Sequence, residues 1–224
     1  MKHRNKTVIF DLDGTLVDTL PDIFEALKST AKQFNLEVIP KEGLRKLLSH
    51  GSRTLIKAQF EYSKKNFSEN DIECGVNHFI SFYQNNISTY SKLFPEVLNC
   101  LNWLKYESAK IAICTNKYEK LAKKLISDLG ISCYFNAITG SDTFKFRKPN
   151  PYHLESTIKL ANGNLDDSVL IGDSIIDLET GRNTNIPVII VGWGYSDIPA
   201  HTIGGDDFIN DGTELINSIK KILY

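Results

Sequence analysis

Four short segments of this chain are apolar with no polar alternation: Thr7-Val8-Ile9-Phe10, Ile111-Ala112-Ile113-Cys114, Val169-Leu170-Ile171 and Val188-Ile189-Ile190-Val191. A strand with apolar side chains on both faces must be covered on both faces, as in a parallel sheet flanked by helices. Asn136-Ala137-Ile138-Thr139 and Asp207-Phe208-Ile209 are weaker strand candidates. Helical spacing fills the gaps. Val97, Leu98, Leu101, Leu104 and Lys105 fall at i, i+3, i+4, i+7, and Leu121, Leu125 and Leu129 repeat the pattern before Gly130, a helix stop. Residues 212–222 give a last amphipathic helix through Leu215, Ile216, Ile219 and Ile222. The expected fold is α/β, a doubly wound, Rossmann-like, mostly parallel sheet.

The interval from about 20 to 90 differs. Leu27, Phe34, Leu44, Leu47, Leu48, Leu55, Ile56, Phe60, Phe79, Phe82 and Tyr83 recur at helical spacing, with no convincing buried strand. The expectation is an α/β core of residues 1–17 and 90–224, with residues 18–89 as an inserted helical domain. At 224 residues, 42% hydrophobic and 24% charged, the chain can bury such a core.

Charge excludes some functions. The 26 basic and 27 acidic residues leave a net −1, so no overall positive field favours nucleic acid or anionic membrane. The basic cluster Lys2, His3, Arg4 and Lys6 is expected to be solvated. No secretory signal and no membrane-length apolar run is visible. Cys74, Cys100, Cys114 and Cys133 lack metal or disulfide spacing, and Cys114 reads as core filler. A cytoplasmic protein, monomer or homodimer, is expected.

In an open α/β sheet, ligands bind beyond the carboxyl ends of the strands. Reactive residue types sit there. Asp11-Leu12-Asp13-Gly14-Thr15 follows the first run. Its four specified positions arise by chance about once in 10⁵ start points. In extended chain, Asp11 and Asp13 point the same way. A divalent cation or a proton must relieve their repulsion, and such a pair can supply a nucleophile and a general acid/base. Gly14 allows backbone N–H groups close to an anion.

Three weaker elements follow. Thr115 and Asn116, after the second run, can bind a phosphate oxygen at a helix start or merely cap that helix. Lys148, held extended by Pro149, offers a compact positive charge; Lys145 and Arg147 are assigned to solvent. Asp173 and Asp177, four apart after Gly172, can share a magnesium site or serve as N-cap and dipole partner.

In this order the four segments resemble the four motifs of haloacid dehalogenase superfamily phosphatases, over residues 8–191. The resemblance implies that Asp11 attacks phosphorus, while Asp13 protonates the leaving oxygen and then activates water. It implies that Thr115, Lys148 and the Asn116 backbone bind the phosphoryl group. Asp11, Asp13 through its carbonyl, and Asp173 would reach Mg²⁺, with Asp177 supporting them, and the helical insertion would be a cap. Dehalogenase members lack the second carboxylate and phosphonate-cleaving members replace it, so both are disfavoured.

Charge counting agrees with a metal. Asp11, Asp13, Asp173 and Asp177 give −4, and Lys148 makes −3. A phosphate monoester adds nearly −2, at roughly 3 kcal/mol per unit pair at about 5 Å. Mg²⁺ brings the site to −1 and a proton on Asp13 brings it to zero.

Within the superfamily, the Asp11–Thr19 run, Ser49-His50-Gly51-Ser52-Arg53, Lys148-Pro149-Asn150-Pro151 and Gly192-Trp193-Gly194-Tyr195 resemble phosphoglycolate phosphatases. The substrate would be a small phosphorylated metabolite such as 2-phosphoglycolate. Gly51, Ser52 and Arg53 would contact it, although family sequences often carry a second glycine in this loop. Arg53 can pair with a substrate carboxylate or simply start a helix. Trp193 and Tyr195 can line the pocket or pack. A β-phosphoglucomutase-like mutase or a pyrophosphatase would use the same motifs, and a non-catalytic binding module is the alternative of another class.

Overall fold

The computed structural model describes residues 6–48, 50–196 and 198–224; Lys2, His3, Arg4 and Ser49 lie outside the described residues. In chain order the elements are β1 (Thr7–Phe10), β2 (Val17–Asp18), α1 (Leu20–Gln33), α2 (Lys41–Leu48), α3 (Ser52–Tyr62), α4 (Glu69–Asn85), β3 (Lys92–Leu93), α5 (Val97–Tyr106) and β4 (Lys110–Cys114). Next come α6 (Glu119–Asp128), β5 (Ala137–Thr139), α7 (Pro151–Leu160), β6 (Ser168–Gly172), α8 (Ile175–Thr184), β7 (Val188–Val191), β8 (Asp207–Ile209) and α9 (Leu215–Leu223).

Six strands form one sheet in the order β5-β4-β1-β6-β7-β8, every neighbour parallel. The all-apolar runs have the expected cause. Val8 and Phe10 belong to one buried cluster with Ile111, Ile113, Val169 and Ile171. Ile9 belongs to the other with Ala112, Cys114 and Leu170, under Leu154 and Ile158 of α7. Alternate residues thus enter opposite cores. The first cluster continues into the insertion through Leu27, Leu44, Ile56, Phe60, Ile72 and Tyr83. Fully burying each such side chain stabilises by about 1.5–3 kcal/mol. Cys114 is buried filler whose thiol burial pushes up to about 12.

Helix ends follow local chemistry. Ser68 and Asp71 close a capping box on α4, and Ser174 and Asp177 close one on α8. Asn150 caps α7, which opens on Pro151, and Gly130, at φ +72°, follows the end of α6. Among the described residues no helix is long and apolar enough to cross a membrane.

Helices α1–α4 fill the interval read as a helical insertion. The ribbon at its root has no counterpart in the residue pattern. Antiparallel β2 and β3 pair Val17 with Leu93 and Asp18 with Lys92, where the chain leaves the core and returns. Two residues per strand are too few for any periodicity to register. Asp22, 1% exposed on α1, reinforces the junction. Its carboxylate accepts from Tyr90 N (3.0 Å), Ser91 N (2.8 Å) and Ser91 Oγ (2.7 Å). Removing this acceptor leaves buried donors unsatisfied. We expect Asp22→Ala to cost about 3 kcal/mol, read in thermal unfolding as a drop of roughly 6–12 °C; an unchanged midpoint would show the junction does not depend on it.

Candidate active site

Strand order assembles the site. Because β1 lies between β4 and β6, Asp11, Thr115 and Asp173 stand side by side just past three neighbouring strand ends. The ladder runs on into the site: Asp11 N donates to Ile171 O at 2.8 Å and Thr115 N to Thr139 O at 3.1 Å. Carboxylate oxygens of Asp11, Asp173 and Asp177 lie within 4.8 Å of one another. Asp173 is held from two sides, accepting from Tyr195 N (2.6 Å) and Thr15 Oγ1 (3.1 Å).

Lys148 enters from the loop before α7 and is 3% exposed. Its ammonium donates to Asp177 Oδ1 at 2.6 Å and lies 3.0 Å from Asp11 Oδ1. Asp177 Oδ2 accepts from Ser174 N (3.1 Å) and Ser174 Oγ (2.6 Å). Asp177 thus gives one oxygen to Lys148 and one to the cap of α8, whose N-cap is Ser174 and not the expected Asp173. Asn116 Nδ2 donates to Lys148 O at 3.2 Å, tying the second segment to the third.

Burial sets the electrostatics. It raises the Asp173 carboxyl to about 8, with Asp177 and Asp11 adding repulsion and the bonds from Tyr195 and Thr15 opposing. Burial likewise raises Asp11 to about 6, against the pull of Lys148. For Lys148, burial disfavours the charge, but Asp11 and Asp177 outweigh it and the ammonium is held above its ordinary value. Three buried carboxylates facing one ammonium, two of them inclined to keep a proton, make an oxygen-donor set suited to a hard divalent cation.

Asp13 is placed otherwise. Its share in the metal set was expected through its carbonyl, and its carboxylate lies apart from the three clustered ones. Both its oxygens accept from Lys117 Nζ, at 2.9 and 3.1 Å. Only its backbone carbonyl is left for a share in the metal set, as the resemblance implies. Lys117 also donates to Tyr83 OH at 2.8 Å and was not singled out from sequence. Its nearness to Thr115 was the one available signal. Lys117 revises the charge count: four aspartates against two lysines give −2, the charge that one divalent cation carries with opposite sign.

A cavity of about 290 Å³ opens over these residues, the small end of ligand-pocket sizes. Gly51, Ser52 and Arg53 line it from the insertion, at the start of α3. The Arg53 guanidinium, however, is ion-paired with Glu69 and Glu73 of α4, about half exposed. Arg147 was assigned to solvent; it is exposed but also lines the cavity, its Nη1 3.6 Å from where a Cβ on Gly51 would sit. Lys145 is exposed. Tyr195 lines the cavity. Trp193 packs on Phe94 and donates Nε1–H to Thr15 O at 3.2 Å.

Residues 8–191, which carry these strand-end aspartates and the lysine, match the family of haloacid dehalogenase-like hydrolases, and the chain belongs to that family. It is a hydrolase of the phosphatase type. It is 38% identical over 203 residues to the phosphoglycolate phosphatase of Agrobacterium fabrum, spanning 91% of this chain and 87% of that protein. It is 36% identical over 190 residues to the phosphoglycolate phosphatase of Mesorhizobium japonicum, spanning 85% and 84%. Its fold resembles the crystal structure of a predicted phosphoglycolate phosphatase from Haemophilus somnus 129pt, with TM-score 0.89 at 24% identity over 96% and 98% of the two chains.

The raised carboxyls have a consequence for stability. A folded-state value above the unfolded one means the native state holds the extra proton, so this contribution is full below about pH 4 and is lost as pH rises through the folded values. With Asp11 at about 6 and Asp173 at about 8, the metal-free protein should lose thermal stability from about pH 4 to about pH 8. Mg²⁺ should stabilise it more at about pH 8 than at about pH 5, by displacing fewer protons. Thermal unfolding with chelator or Mg²⁺ across this range measures both; a Mg²⁺ effect independent of pH would count against these aspartates as its ligands.

Proposed function

We propose that the protein is a Mg²⁺-dependent phosphatase that hydrolyses a small phosphate monoester, 2-phosphoglycolate first among candidates, through an aspartyl-phosphate on Asp11. The observation that carries this is the meeting of Asp11, Asp173 and Asp177 around Lys148 at neighbouring strand ends, with a second carboxylate, Asp13, separate from them. The substrate choice rests on the relatives named phosphoglycolate phosphatase.

A substrate phosphoryl group would sit beside Asp11, bonded by Lys148, the Thr115 hydroxyl and backbone N–H groups of the two strand-end turns. Thr115, 2% exposed, stands at the end of β4 with its Oγ1 accepting from Lys117 N at 3.3 Å. A carboxylate oxygen of Asp11 forms a bond to phosphorus as the ester P–O bond breaks. The leaving oxygen keeps that electron pair and takes a proton from Asp13. Asp13, now a carboxylate, accepts a proton from water as the water oxygen bonds to phosphorus, and the Asp11–phosphorus bond breaks to give inorganic phosphate. Asp11, Asp173 and the Asp13 carbonyl would hold Mg²⁺, with Asp177 behind them, and the ion would offset charge on the phosphoryl oxygens.

The insertion would act as the cap that excludes water, with Gly51, Ser52 and Arg53 against the substrate. The chain's four free cysteines, two of them buried, suit a reducing cytosol.

Release of inorganic phosphate from a panel of small phosphate esters, with and without Mg²⁺, should show metal-dependent turnover with 2-phosphoglycolate among the best. Asp11→Asn should lose at least about 10³-fold in turnover, and quenched reactions should lose the acyl-phosphate label. Asp13→Asn should lose about 10²–10⁴-fold with substrate binding largely kept. Undiminished hydrolysis by Asp11→Asn would reject the nucleophile, and an undiminished rate for Asp13→Asn would reject the acid/base.

A further inference from the structure

We propose that Lys117 is a positioning residue for Asp13, and that Tyr83 of the helical insertion sets Lys117 in turn, so the insertion governs the acid/base carboxylate through this pair. The proposal rests on the phosphatase reading above.

Among the described residues, Lys117 Nζ is the only side-chain donor bonded to the Asp13 carboxylate, and it engages both oxygens. The ion pair is mostly buried, at 5% exposure for the lysine side chain and 18% for the aspartate. A lysine of that length has many rotamers, and holding one of them needs partners. Tyr83 supplies them from α4: its hydroxyl accepts from Nζ at 2.8 Å and its ring centroid lies 4.5 Å away. Tyr83 itself is fixed, 2% exposed and stacked on Phe79 at 5.8 Å and 19°. The result is a relay from α4 through Lys117, just past β4, to Asp13, just past β1.

The relay has a chemical use. An acid must present one oxygen to the leaving group while the other is held elsewhere. An ammonium that engages both Asp13 oxygens can keep one and yield the other to the substrate. Asp13 loses that orientation when Tyr83 withdraws, because Lys117 then keeps no partner on the insertion. The contact thus makes the acid competent where the cavity is covered by the insertion, which protects the acyl phosphate from misdirected water.

A merely structural lysine would slow all substrates alike. A positioning role appears where the leaving oxygen needs a proton. The test is single-turnover cleavage, enzyme in excess, of 2-phosphoglycolate, whose alkoxide leaving group requires an acid, and of p-nitrophenyl phosphate, whose phenolate does not. We expect Lys117→Met to slow 2-phosphoglycolate cleavage by about 10²-fold and to slow p-nitrophenyl phosphate cleavage at least about tenfold less. KM for the alkyl ester should change little. Lys117→Arg should recover part of the loss. Tyr83→Phe, which keeps the ring and removes the hydroxyl, should show the same bias at about fivefold. Equal losses on both substrates, or none, in folded Lys117→Met and Lys117→Arg would overturn the role of Lys117. An unbiased Tyr83→Phe would overturn the link to the insertion. Wild-type protein inert on both substrates would instead defeat the phosphatase reading.

Discussion

The constraint on which this molecule turns is the burial of Asp11, Asp173 and Asp177 within 4.8 Å of one another against the single ammonium of Lys148. Like charges at such distances in a poorly solvated place are costly, and one cation does not offset three. The protein meets the cost locally. Asp177 spends one oxygen on the α8 cap, and Asp173 accepts a backbone N–H and a hydroxyl. Burial first, and then the remaining repulsion, raise the Asp11 and Asp173 carboxyls and leave an oxygen-donor set of the kind that suits a divalent ion.

Such packing needs backbone with nothing on it. Gly14 sits at φ +86°, and a Cβ there would lie 2.5 Å from Asp173 Oδ2. A Cβ on Gly172 would lie 2.2 Å from Asp177 Cγ. No flexible group yields in either case, since each carboxylate is already fixed by its bonds. Gly14 lets the β1 turn approach the Asp173 turn, and Gly172 lets Asp177 of α8 fold back over the end of β6. The motif's glycines and aspartates are therefore one steric arrangement, seen twice.

Much of this was legible in the chain itself. Strands buried on both faces leave all-apolar runs, and ligands of open α/β sheets bind past the strand ends, so Asp11, Thr115 and Asp173 stood out by position. Other features left no local trace. Asp13 and Lys117 are 104 positions apart, and the only hint of their pairing was that both follow strands that turn out to be neighbours. Tyr83 read as one more aromatic at helical spacing, because its hydroxyl contact depends on where α4 comes to rest. Arg53 lines the cavity as its position suggests, but its ion pairs with Glu69 and Glu73, 16 and 20 positions on, left no sign in the sequence. In each case what was missing is the distance between elements that only tertiary packing sets.

The root of the insertion is wired to the same centre. Tyr195 donates its N–H to Asp173, while its hydroxyl donates to Asp18 of β2 and accepts from Leu20 N at 3.0 Å. One side chain thus spans a strand-end aspartate and the ribbon where the insertion departs. Burial first, and then the bond to Asp18, raise its hydroxyl well above the ordinary phenol value, so it stays a neutral donor here. Any shift of the β2–β3 ribbon relative to the core must move or break one of these bonds, and a rigid tyrosine has little slack to absorb it. Asp173 is thus tied to the insertion through Tyr195, and Asp13 through Lys117 and Tyr83. Both ties end on carboxylates that line one cavity, so the seating of the insertion and the placing of these two side chains are linked.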